Sequence, residues 1–417
     1  MKIAYEEAFR PLHANPCPFG TVIPPNRLES SNWDLLAALA RARSAGSLAA
    51  LQAALCQLLG RDQIFFAPSA RCAIAQLLSL LPQKEVVMPA FNCDVVKSAV
   101  EAAGKHIVYV DLAKGSVNAT AAEFSKVAQP GRILLATHQF GVPTDVEAIC
   151  ELARSRGCIT IEDAACSFGA RRNGQCLGTF ADFGVFSFES WKRLPAFQGG
   201  AIVVNNDRLI DANRLANHTL VKTTLKMPRR EVAYAMGRNV ATNPWLYGRL
   251  TLPVLIRNYL KHPVTASGGK KKDVTKGLPY TREFHPYQAQ LVLRMLARMD
   301  PIREQIAQLV SIYADAFKDG SVMTFLPSDR DDAGLLRFPI AFPGKDRAEV
   351  LRRALKRGLY LETAFEEPLP EPGERSQFPN SVWVGRNLVL LPLYTTLQAK
   401  AAAWLAAQVN EIARDPA

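Results

Sequence analysis

What the chain lacks narrows its reading first. Its eight cysteines include no CxxC pair, none lies beyond residue 176, and no cysteine and histidine group stands at metal-ligand spacing. Neither a zinc site nor a disulfide framework is expected, and no metal is assigned; the thiols read as reduced core residues. The start, MKIAYEEAFRPLHANPCPFG, has acidic residues and no apolar run of signal-peptide type, so nothing there marks export and the expected place is the cytoplasm. No helix-turn-helix, finger or RNP motif occurs, and nucleic acid is not an expected partner. No internal repeat is found. The apolar stretch NPWLYGRLTLPVLIRNYLKHPV is interrupted by Arg249 and Arg257, and Pro253 is expected to break any helix through it, so it falls short of a membrane span.

What is present is a chain of 417 residues, 48% hydrophobic, long enough to bury a large core in about two or three domain-sized units. The net charge of +12 suits an anionic ligand, but its basic residues are dispersed apart from PRR at 228–230 and GGKKKD at 268–273. Short apolar runs appear at IFFAP, EVVMPAF, HIVYVDL, RILLATHQF, CITIEDA, FGVFSF and AIVVNN. Between most of them lie segments with apolar residues three and four apart, such as RCAIAQLLSLL, DVVKSAVEAAG and TDVEAICELARSRG. This alternation predicts a largely parallel sheet with helices on its faces. A later helical pattern, from Tyr287 to Phe317, is expected to be interrupted at Pro301.

In such sheets ligands bind beyond the carboxyl ends of the strands. The polar residues that follow the apolar runs are Ser69 and Arg71, His138, Glu162 and Asp163, then Ser187 and Lys192. Each alone has a plain structural explanation. Asp163 suits a helix N-cap or a strand-end ion pair, and Lys192 suits a surface cation. The combination in this order carries more information.

The blocks IEDAACSFGA, GTFADFGVFSFESWK and QGGAIVVNN resemble the signature blocks of the DegT/DnrJ/EryC1/StrS aminotransferases. VVMPAFNCDVVKSAVEAAGKHIVYVDL and HQFGVPTDVEAI extend the resemblance through the first half, and LRFPIAF, ALKRGLYLE and NLVLLPLYTTL towards the end. The resemblance implies a fold type I α/β protein. Its large domain, residues 1–285, would hold a mostly parallel seven-stranded sheet, with an insertion at about 219–276. Residues 286–417 would form a smaller C-terminal α/β domain.

It also implies pyridoxal 5'-phosphate as cofactor and a homodimer with shared active sites. Lys192 would form the Schiff base with the cofactor aldehyde and, once displaced, move a proton. Asp163 would keep the pyridine nitrogen protonated, because a carboxylate beside it stabilises the cation. Ser69, Ala70, Arg71 and Ser187 would hold the phosphate at a helix N-terminus, with arginine standing where the family has threonine and either binding that phosphate or reaching for a substrate anion. Phe91 either stacks on the cofactor ring or packs in the core. Cys166 stands where the family commonly has histidine or glutamine against the other ring face. His138, Arg337 and Glu362 would border the substrate.

The implied reaction moves an amino group from a donor such as glutamate to a keto sugar on a nucleotide diphosphate. A non-sugar natural-product carbonyl, or a non-catalytic regulatory role, is the alternative. A sugar dehydratase is disfavoured because relatives of that type replace the lysine with histidine. Two departures stand out. Thr281 and Glu283 occupy positions where the family often has Asn and Arg from the neighbouring subunit, and residues 243–262 form an apolar insertion suited to an interface, a lid or a membrane surface.

Overall fold

The runs of β-branched and aromatic residues become strands, and the patterns between them become helices. The computed structural model describes residues 22–41, 46–211, 214–215, 229–254, 284–326 and 334–415. All seven expected runs join one sheet: β1 (Ile64–Ala67), β2 (Glu85–Pro89), β3 (His106–Val110), β4 (Arg132–Thr137), β5 (Ile159–Asp163), β8 (Phe183–Ser187) and β9 (Gly200–Val204). A small hairpin of β6 (Arg171–Arg172) and β7 (Gln175–Cys176) lies between β5 and β8 in the chain.

The strand order is β1-β9-β8-β5-β4-β2-β3. Neighbours from β3 through β8 run parallel, whereas β9 runs antiparallel to both β8 and β1. One edge of the sheet therefore collects the ends of six strands and the beginning of β9. Asp163 sits there beside Thr137 and Val185, and Ser187 faces Gly200.

Helices α3 (Ala70–Leu80) and α4 (Asp94–Ala102) pack one apolar face of the sheet, where Ile74, Leu77 and Val96 meet Val86, Ile161, Val185 and Ile202. On the other face α5 (Ala121–Ser125) and α6 (Val146–Arg156) cover Val87 and Leu134. Helix α6 stops at Gly157, whose φ of 65° is the left-handed conformation that glycine adopts at helix ends.

Helix α1 (Asn32–Ala40) is capped by Ser31, with Asp34 completing the reciprocal box, and packs with α2 (Ser47–Leu59) against the later α8 (Pro286–Leu296). Helix α7 (Arg229–Ala241) also lies on α1.

The rest of the chain builds a second, antiparallel sheet of β10 (Met323–Thr324), β11 (Arg337–Ala341) and β12 (Val389–Pro392). Helices α9 (Met299–Ala316), α10 (Arg347–Lys356), α11 (Pro379–Asn387) and α12 (Ala399–Arg414) accompany it, with α12 packed on both α9 and α10. The two sheets are tied where the Leu336 N–H donates to the Phe140 carbonyl at 2.7 Å.

Two expectations about proline are corrected. The helical break falls at 297–298, and Pro301 lies inside the first turn of α9, where a missing N–H costs nothing. Pro253 does not end its helix. A π-turn at Tyr247–Thr251 precedes it, and helical residues continue through 252–254. The wider turn displaces the backbone groups that a proline ring would meet in a regular helix. Among the described residues, no helix is long and apolar enough to cross a membrane.

Candidate active site

The anion-binding end of the site grows from the junction of β1 and α3. Ser69 leaves the strand in extended conformation and caps α3, its Oγ accepting from the Cys72 N–H at 3.1 Å. It also bridges to Gly199 at the start of β9. A Cβ on Gly200 would stand 2.5 Å from the Ala70 nitrogen, so only glycine lets β9 lie this close to the first turn of α3. Ser187 is buried opposite Gly200, its Oγ accepting from the Glu189 N–H at 3.4 Å. Ser69, Ala70, Arg71 and Ser187 are thereby brought together, as expected.

Arg71 adds a charge argument. A cation in the first turn of a helix opposes the positive end of the helix dipole. Its Nε is also buried with no hydrogen-bond partner. An anion at this place would satisfy both the guanidinium and the dipole.

Asp163 closes β5 and is only 5% exposed. Burial raises its carboxyl above the usual range, opposed by the hydrogen bond from the Ala165 N–H and by the charge of Lys192. Lys192 lies in the turn after β8, its N–H donating to the Glu189 carbonyl at 2.9 Å. Its Nζ donates to the Cys166 sulfur at 3.0 Å. Burial works to lower the ammonium, but the Cys166 sulfur, then Glu189 and Asp163, outweigh it and hold the group above its ordinary value. Burial likewise pushes the nearby Cys93 thiol up to about 11, with the Lys192 charge acting in the opposite direction. Cys166 thus meets the lysine nitrogen directly.

His138 is placed differently from the expectation. It has no exposed surface, and Nδ1 accepts from the Thr144 N–H at 3.1 Å, so Nε2 carries the proton donated to Glu162 at 2.9 Å. Glu162, equally buried, also accepts from the N–H groups of Gly178 and Phe180. With both ring nitrogens engaged, His138 is a strut behind the sheet edge and has no face left for a substrate.

Of the two readings of Phe91, the structure supports core packing. Its ring is fully buried, with the ring of Phe140 at 6.4 Å and that of Phe365 at 5.5 Å. Those two rings stack at 5.7 Å, and both residues adopt positive φ, 57° and 49°, a strained conformation for an aromatic residue. Any ring seated on Phe91 would have to part this pair.

Arg337 and Glu362 do meet, Nε to Oε2 at 3.0 Å. Around them stands a group of residues to which sequence reasoning assigned no role. The other Glu362 oxygen accepts from Asn26 Nδ2, and the Asn26 oxygen accepts from Arg238 Nη2 at 2.9 Å. The Arg238 guanidinium carbon lies over the ring of Trp191, the residue before Lys192. Arg193 is buried against Glu29 and the Leu335 carbonyl, while Glu29 accepts from the Thr395 hydroxyl at 2.7 Å. The N-terminal segment therefore straps the lysine turn to the second sheet.

No motif marks Asn26, Glu29, Arg193 or Arg238. Their only sequence signal is that Arg193 follows Lys192. Thr281, Glu283 and residues 255–262 of the apolar insertion lie outside the described residues. Among those described, no cluster of three or more histidine, cysteine or acidic residues could hold a metal ion.

Comparison with known proteins agrees with this geometry. Residues 44–243 match the model of the DegT/DnrJ/EryC1/StrS aminotransferase family. The chain is 30% identical over 164 residues to a dTDP-4-dehydro-2,3,6-trideoxy-D-glucose 4-aminotransferase from Saccharopolyspora spinosa, covering 38% of this chain and 43% of that protein. It is 34% identical over 144 residues to a UDP-N-acetyl-3-dehydro-alpha-D-glucosamine 3-aminotransferase from Acidithiobacillus ferrooxidans, covering 34% and 39%. The aligned part thus spans less than half the length of these curated relatives. The fold is shared throughout with the crystal structure of DesV from S. venezuelae, at a TM-score of 0.73 and 22% identity over 95% of this chain and 100% of that one. Over residues 44–243, just under half of its length, the chain is thus similar to the DegT/DnrJ/EryC1/StrS aminotransferase family.

Proposed function

We propose that this chain is a pyridoxal phosphate-dependent aminotransferase that moves an amino group from a donor such as glutamate to a keto sugar carried on a nucleoside diphosphate. The observation that carries this reading is the convergence, at one sheet edge, of a buried carboxylate, a lysine and a helix N-terminus that carries Arg71. The residues fit the cofactor. Ser69, Ala70, Arg71 and Ser187 would hold its phosphate, Asp163 its ring nitrogen and Lys192 its aldehyde. When bound, the cofactor supplies an electron sink for the substrate carbon that loses a proton.

The chain's own groups do the rest. Asp163 is costly to bury charged by itself, so a cationic nitrogen beside it is stabilised in turn. Lys192 takes a proton from the substrate carbon and returns it, as a base held beside that carbon. Cys166, in contact with Nζ, orients the amine. Trp191 and the arginine group border the side from which a substrate enters.

The acceptor class is supported by the two curated relatives, both named for nucleotide-linked sugars. The active unit in this reading is a homodimer with shared sites, and sedimentation of the cofactor-loaded protein as a monomer would remove that element.

The test is the absorption spectrum of the loaded protein before and after glutamate, beside Lys192→Ala. A visible band that glutamate shifts to the near ultraviolet, absent in the variant, is the expected result. A band indifferent to every amino donor would overturn the aminotransferase reading. Failure of a panel of nucleotide-linked keto sugars, with the donor step intact, would move the acceptor to a non-sugar carbonyl.

A further inference from the structure

Arg238 is an incompletely satisfied cation beside the candidate site. It is only 9% exposed, its Nη1 is buried with no hydrogen-bond partner, and among the described residues its side-chain hydrogen bond, through Nη2, goes to the neutral Asn26 side chain. Two of the guanidiniums nearby hold a counter-charge, Arg193 with Glu29 and Arg337 with Glu362, whereas Arg27 donates to the neutral Thr396 hydroxyl at 3.0 Å and has a buried Nε without a partner. Four arginines thus share two glutamates, both already engaged.

Burial lowers the Arg238 guanidinium to about 10, and the neighbouring charge of Arg337 pushes the same way, against Tyr234 and Glu362. A buried cation with an orphaned N–H is costly unless an anion visits it. The Trp191 indole places the guanidinium over the residue next to Lys192.

We propose that Arg238, supported by Arg337, is an oxyanion subsite that captures the carboxylate or phosphate group of the substrate reacting at Lys192. This rests on the aminotransferase reading and adds to it a specificity-determining residue. The planar fork of a guanidinium matches either oxyanion in two parallel hydrogen bonds. Asn26 would keep the fork in register, since it holds Nη2 and leaves Nη1 free.

The test is calorimetric titration of the full-length, cofactor-loaded protein with two unreactive probes. Glutarate carries the carboxylates of a dicarboxylic donor without its amine, and UDP carries the diphosphate of a nucleotide-linked acceptor. The wild type is expected to bind at least one of them. Arg238→Gln is expected to weaken that probe roughly tenfold or more, with Arg238→Lys intermediate and the other probe unaffected. Which probe responds identifies whether donor or acceptor is captured.

Unchanged affinity for both probes in Arg238→Gln would overturn the proposal, as would a wild type that binds neither. If Arg238→Gln does not fold, Arg238→Lys carries the test, because an ammonium lacks the fork, and undiminished affinity in that variant sinks the idea. The Lys192-dependent band is read on each protein. A wild type without the band but with Arg238-dependent binding would remove the aminotransferase reading while leaving the anion subsite. A band retained in Arg238→Gln without anion binding supports both.

Discussion

At the sheet edge, Ser69, Asp163, Ser187 and Lys192 each stand at or within a few residues of the end of a strand. On the opposite side, Asn26, Glu29, Arg193, Arg238, Arg337 and Glu362 come from the N-terminal segment, the lysine turn, α7, β11 and the stretch before β12. The first group is ordered by backbone hydrogen bonds, because parallel strands in register deliver their ends to one place. The second is joined across distant segments mainly by side-chain contacts, and a single lost partner leaves a buried charge behind. In the proposed reaction the chemistry falls to the first group and substrate contact to the second.

Breaking the first group at its reactive atom has the largest expected effect. Lys192→Ala should leave the fold intact and slow the donor half-reaction by roughly 10²–10⁴-fold, read by single-turnover absorbance. A variant within tenfold of the wild type would mean that another group moves the proton.

Next in size is the buried pair of the second group. Glu29→Gln leaves Arg193, itself 4% exposed, without its counter-charge and should lower stability by about 3–5 kcal/mol in urea unfolding. A loss below about 1 kcal/mol would show that the strap is loose, and the contrast between the groups would disappear.

Asp163→Asn sharpens the contrast through pH. The Asp163 carboxyl is raised by burial, so its contribution to stability is full below the unfolded pKa and is lost as pH rises through the folded one. Cofactor-free Asp163→Asn should therefore melt higher than the wild type at neutral pH, with the gap closing towards about pH 4. The same variant should bind the cofactor more weakly, as judged by the visible band. A wild type that stays the more stable at neutral pH would mean that the carboxylate is already compensated.

The smallest effect is at the helix cap. Ser69→Ala removes the bond to the Cys72 N–H and should cost about 1 kcal/mol in stability, together with a modest loss of phosphate affinity.

Much of the architecture was legible because period-two and helical patterns are local signals. The seven apolar runs became the seven strands of one sheet. The exceptions have local physical causes: Pro301 sits in a helix's first turn, and Pro253 follows a π-turn. The site was legible only as far as the strand ends carry it. His138 was placed near the substrate by its position after β4, but the partner that engages it, Glu162, lies at the end of the neighbouring strand and turns the ring inward. For Phe91 the sequence left stacking and core packing open, and Phe365, which lies far along the chain, packs on it only in the folded state.

The sequence by itself determined the order of strands and helices along the chain, the lysine and carboxylate at their ends, and the helix N-terminus beside them. These depend on residues adjacent in the chain, where hydrogen bonding and sterics act without knowledge of the rest. Only the tertiary structure decided which cations keep their counter-charges. Asn26, Arg238 and Glu362 lie hundreds of residues apart, and whether a buried guanidinium is satisfied depends on which distant side chains packing delivers to it.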